Sequence, residues 1–121
     1  MKATIPRIPI TNNRYLRMHW ALRKQDSDSW WRWCHKQMGF GPFRSGPGKK
    51  LHQKACLEIT VYRRRRQDPD NAVASVKPLV DAVKRLYWLV DDSDRWVTLI
   101  VQEKNARKDH ERTEVEVTYG V

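Results

Sequence analysis

The chain has 121 residues, with 24 Lys and Arg against 14 Asp and Glu, for a formal charge of +10. That length suits a single domain, residues 1–121, which needs no disulfide or metal staple to fold. No apolar run approaches the ~20 residues of a membrane span, and the basic excess points to a polyanionic partner, nucleic acid before any other.

Met1 to Ile10 has no apolar signal core and is cut by Pro6 and Pro9. Together with two cysteines that read as reduced thiols, Cys34 and Cys56, this favours a cytoplasmic protein. Ala3 to Ile10 reads as an extended entry element ending in a polar turn, Thr11-Asn12-Asn13-Arg14. Tyr15 to Arg23 is basic and amphipathic without a clear period. Asp26-Ser27-Asp28 looks like an N-cap cluster for a helix over Ser29 to Met38. Gly39 to Lys50 is a basic loop holding four of the five glycines, with Lys49 and Lys50 either reaching for phosphate or simply solvated.

Lys54 to Arg63 alternates, with Ala55, Leu57, Ile59 and Val61 on one face, as a half-buried strand does. A basic run and an acidic turn follow, Arg63 to Asn71 (RRRRQDPDN). Val73, Val76, Val80, Val83 and Tyr87 then step by three and four, one apolar helix stripe. Pro78 is tolerated there if a new helical turn starts near Ser75. Asp91-Asp92-Ser93-Asp94 is a turn, and the alternating segments Arg95 to Glu103 and Thr113 to Tyr119 read as a hairpin. The pattern predicts an α+β fold, a mixed sheet carrying two main helices.

The acids carry the most chemical information. Pro69 biases Asp68 toward an extended backbone, and residues two apart in an extended chain face the same way, about 7 Å apart. Asp68 and Asp70 would then converge on one hard cation, with a third carboxylate from Asp91 or Asp92. Magnesium suits such an open site, since it keeps waters and takes phosphate oxygens into its shell. A basic groove ending in acids is what phosphodiester cleavage needs. The plainer reading stays open beside it: Asp68 and Asp70 as turn and helix cap, and Asp91 to Asp94 as a solvated turn. No EF-hand loop is present, and Cys34-His35 with His52 and Cys56 fits no common zinc spacing.

The same residues resemble the RusA family of Holliday junction resolvases. The likeness rests on RRRRQDPDN at 63–71, on Lys77 with Asp81-Ala82-Val83, and on Tyr87 to Asp92 (YWLVDD); Asn12-Asn13-Arg14-Tyr15 is similar to the family's polar turn after its first strand. It covers roughly half of the chain. The resemblance implies a RusA-like fold and a magnesium-dependent endodeoxyribonuclease that resolves four-way junctions by paired symmetric nicks. It implies Asp68, Asp70 and Asp92 as metal-binding catalytic aspartates and Lys77 as the catalytic lysine. Asn12, Asn13 and Arg14, with Arg64, Arg65, Arg66 and Asn71, would contact DNA. It also implies a homodimer without a small-molecule cofactor, of a kind frequent in phages and prophages. Two departures stand out. Gln67 occupies a position where an arginine often precedes the first aspartate, which weakens one phosphate contact. Three extra residues lie between Asn71 and Lys77, about one helical turn.

Two other readings compete: a non-catalytic basic DNA-binding protein of the same fold, and an accessory protein whose charge serves solubility. Of the six tryptophans, Trp88 and Trp96 are expected in the core, and of the adjacent pair Trp30 and Trp31 one is expected to face outward.

Overall fold

The computed structural model describes residues 1–44 and 53–120. Lys49, Lys50 and His52 lie outside them. Among the described residues the fold is α+β, as expected: one mixed four-stranded sheet with helices on one face.

The strands are β1 (Lys2–Ile5), β2 (Ala55–Arg63), β3 (Val97–Asn105) and β4 (Arg112–Tyr119), in the order β1-β4-β2-β3. β2 behaves as its alternation predicts: Ala55, Leu57, Ile59, Val61 and Arg63 are buried, and the residues between them are half-buried. On β4, Thr113, Val115 and Val117 share the covered face. The other face is polar, carrying Glu58, Thr60, Glu114 and Glu116.

The expected hairpin between the last two strands does not form. β3 runs parallel to β2, whereas β4 runs antiparallel to β2 on its other side and also pairs with β1. Alternation reports which face is buried but not which strand is the neighbour. β4 buries every second residue and suits an interior place, whereas β3 buries only Val97 fully and suits an edge. The connection between them includes a 3-10 turn, Lys108–His110, and crosses over the end of β2.

The helices are α1 (Asn12–Leu16), α2 (Trp20–Met38), α3 (Pro69–Ser75) and α4 (Lys77–Arg85). The polar turn expected at Asn12 is therefore the start of a short helix. The cap expected at Asp26 is also corrected, because α2 begins at Trp20 and runs straight through it. Its cap is His19, whose Nδ1 accepts from the Ala21 amide at 3.2 Å. Asp26, Trp30 and Cys34 form the buried stripe of α2, four residues apart each time. An aspartate is tolerated there because Arg7, leaving β1, meets Asp26 and Ser29 and lies over the Trp30 ring. Trp31 is half-buried, as are Trp88 and Trp96 against the core, while Trp20 is 71% exposed.

The predicted restart near Ser75 is present. α3 ends there, and α4 places Pro78 in its first turn, where a missing N–H costs nothing. That break splits the single valine stripe: Val73 and Tyr87 are exposed, and the buried set is Val76, Leu79, Ala82, Val83 and Leu86. α3 and α4 form the crossover that a parallel β2–β3 pair requires.

Candidate functional site

β2 ends at Arg63 and delivers the basic run to the rim of the sheet. Arg63 itself is buried. Its Nη2 donates to the Pro9 carbonyl at 3.0 Å, and its Nε lies 2.9 Å from a Glu103 carboxylate oxygen, an ion pair by proximity although the N–H is not aimed along that contact. Arg64, Arg65 and Arg66 are exposed, and among the described residues their guanidinium groups make no ion pair. Asn13 and Arg14 are exposed on α1, and Arg14 is likewise unpaired among the described residues. Asn12 and Asn71 bond each other instead, Nδ2 to Oδ1 at 3.0 Å.

Asp68 is the N-cap position of α3, yet its side chain makes no cap hydrogen bond. Asp70 lies in the first turn. Both are exposed, and neither carboxylate has a hydrogen bond or ion pair among the described residues. The extended-pair geometry expected for them is therefore corrected. Asp68 is extended, but Pro69 opens a helix, and positions two apart across a helix start do not share a face.

Lys77 opens α4 and lies 3.5 Å from Asp81, one turn on. Both line a cleft of about 580 Å³ with Asn12, Tyr15, Leu99 and Asp92. A second recess, of about 540 Å³, holds Arg66, Gln67, Asp68, Glu103 and Asn105. Leu99, Val101 and Glu103 follow one another on a single face of β3, so the two recesses are neighbours along that strand. α3 lies between them, with Ala72 in one wall and Val73 in the other.

Asp92 already has a cation. Lys84 Nζ stands 3.0 Å from an Asp91 oxygen and 3.5 Å from an Asp92 oxygen. The bond from Lys84 holds the Asp91 carboxyl below the usual carboxylate range, and the same bond pushes the Lys84 ammonium up. Lys84 carries no signal in the sequence, because a lysine at the end of a helix is ordinary.

Among the described residues no group of three or more His, Cys, Asp or Glu side chains is gathered to hold a metal ion. Asp68, Asp70 and Asp92 thus do not form a three-carboxylate cage. What remains is narrower: the exposed Asp68 and Asp70 carboxylates, unpartnered among the described residues, follow the exposed Arg64 to Arg66 in the chain, and magnesium is an ion that needs one or two carboxylates and completes its shell with water and phosphate. Cys34 is buried and Cys56 lies on β2, and among the described residues they are not gathered with His35 into a group of three metal-ligating side chains. No described helix is long and apolar enough to cross a membrane.

No family model matches the chain, and no curated protein matches it.

Proposed function

We propose that this protein is a RusA-like, magnesium-dependent endodeoxyribonuclease that resolves four-way DNA junctions by paired symmetric nicks. The observation that carries the reading is the juxtaposition of the Asp68 and Asp70 carboxylates with the guanidinium groups of Arg64 to Arg66, all exposed and without an ion pair among the described residues, in a chain of charge +10. Carboxylates repel the phosphate that arginines attract, so the pair makes chemical sense at a place where a cation joins them.

Arg64, Arg65, Arg66 and Arg14 hold backbone phosphates and set position rather than sequence. Lys77 stabilises charge on the phosphoryl or leaving oxygen. Asp68 and Asp70 are the residues to hold magnesium, with Asp92 as a third, and the ion would supply a water of lowered pKa. Two symmetric cuts call for two sites related by a twofold axis, hence a homodimer. The setting is the cytoplasm of a bacterium or a phage-infected cell.

A second reading has its own observation. Lys84 neutralises Asp92, which suits a DNA-binding protein of this fold that does not cut. One assay separates the two: a synthetic four-way junction and a matched linear duplex, with and without magnesium. Paired nicks confined to the junction, lost in Asp70→Asn while binding survives, support the nuclease. Binding without nicking supports the second reading.

A further inference from the structure

Gln67 is the most connected polar side chain near the acids. Its Oε1 accepts from the Asn12 amide at 3.0 Å. Its Nε2 donates to Glu103 Oε2 at 2.9 Å and to Ser75 Oγ at 3.2 Å. Its backbone amide donates to the other Glu103 oxygen at 2.6 Å. One residue thus joins the start of α1, the end of α3 and strand β3.

The chemistry of these partners calls for a side chain that both accepts and donates, as the Gln67 carboxamide does. The Asn12 amide can only donate, and the Glu103 carboxylate can only accept. An arginine here has no acceptor for Asn12, and a glutamate has no donor for Glu103. Neither an arginine nor an ionised glutamate could make the Gln67 contacts to both Asn12 and Glu103. Gln67 is a residue with a different task.

The segment it begins shows the task. Asn12 reaches Gln67 through its backbone and Asn71 through its side chain. Both ends of the segment 67–71 are tied to the same residue, and Asp68 and Asp70 lie between the ties. Neither carboxylate has a bond among the described residues; the Asp68 carbonyl accepts from the Ala72 amide at 2.9 Å, so the start of α3 carries both aspartates, and the ties from Gln67 and Asn12 set where that start lies against α1 and β3. Glu103 is held in turn by Arg63, whose side chain is buried with it.

We propose that Gln67 is a positioning residue: with Asn12 it holds the start of α3 against α1 and β3, and so sets where the Asp68 and Asp70 carboxylates stand for divalent-cation binding. This rests on the reading of Asp68 and Asp70 as cation ligands. Residues that orient ligands without touching the ion typically change metal affinity or activity by about 10–100-fold when removed.

The test uses Gln67→Met, which keeps the shape and removes the three side-chain bonds, and three measurements on the full chain. These are the magnesium midpoint for nicking a four-way junction, junction affinity without metal, and Mn2+ broadening of the Asp68 and Asp70 amide signals in NMR of the protein alone. The expected result is unchanged junction affinity with a metal midpoint raised about tenfold or more. Gln67→Glu, which keeps the acceptor for Asn12, gives the same readouts should the methionine variant fail to fold. If both variants lose thermal stability but keep the wild-type metal midpoint, the role is structural only and the inference is overturned. If the wild type never nicks, yet Mn2+ broadens both signals and does so more weakly in the variant, the positioning role stands and the nuclease reading falls. If Mn2+ leaves both signals untouched in the wild type, both fall.

Discussion

Lys84 and Asp92 are held 3.5 Å apart, so Asp92, in the cleft that also holds Lys77, already faces a positive charge. A divalent ion at Asp92 would have to displace that ammonium. Lys84→Met is therefore expected to lower the magnesium concentration needed for junction nicking several-fold. The same substitution should return the Asp91 carboxyl toward the usual carboxylate range, since the Lys84 bond is the first cause of its lowering. A carboxyl NMR titration reads that shift. An Asp91 titration unchanged in the variant would show that the pair does not form in solution.

The exposed arginines should act on phosphate without regard to sequence. Replacing Arg64, Arg65 and Arg66 by Gln is expected to flatten the slope of log affinity against log salt by about 0.9 for each phosphate that is no longer neutralised on duplex DNA. The drop in affinity should be equal on unrelated sequences. Equal slopes for wild type and triple variant would remove these arginines from the interface.

Stability should fall at alkaline pH. Burial pushes the Cys34 thiol from 9.0 up to about 12, and burial raises the Tyr119 phenol from 10.0 to about 12. Between those limits the unfolded chain releases protons that the folded chain retains. Stability is thus complete below pH 9 and declines toward pH 12, by at most about 1.4 kcal/mol per pH unit for Cys34. Tyr119 is half-exposed and contributes less. Urea midpoints measured at neutral and alkaline pH should converge in Cys34→Ala more than in wild type.

The open face of the sheet places like charges together. Glu58 stands directly opposite Glu116, and Lys2 reaches Glu116 only at 3.8 Å. Glu58→Lys is expected to raise stability by roughly 0.2–1 kcal/mol, the usual range of a cross-strand pair. Chemical denaturation measures it, and a lowered midpoint would mean that the carboxylates are already compensated.

What is legible in the chain follows from what each pattern encodes. The alternation of β2 reports burial directly, and all four predicted inward residues are buried. Pro78 signals its helix start because a proline is cheap only in the first turn. The β3–β4 hairpin is a misreading because alternation carries no information about partners. Asp26 misleads because a buried aspartate looks like a cap until its counterion, Arg7, is seen across a gap of 19 positions. At the site, the residue types are readable and their orientation is not. Pro69 forces extension on Asp68, but it also starts a helix, and the helix sets the direction of Asp70. Gln67 shows only as a departure from a family pattern, since its partners come from three separate segments.

β4, which follows the other three strands in sequence, lies between β1 and β2. During synthesis neither the first strand nor the second can find its neighbour on that side until β4 has left the ribosome. Val115 and Val117, both fully buried, follow the rest of the described core in the chain. A nascent chain stalled before residue 112 should therefore remain protease-sensitive, however complete its helices.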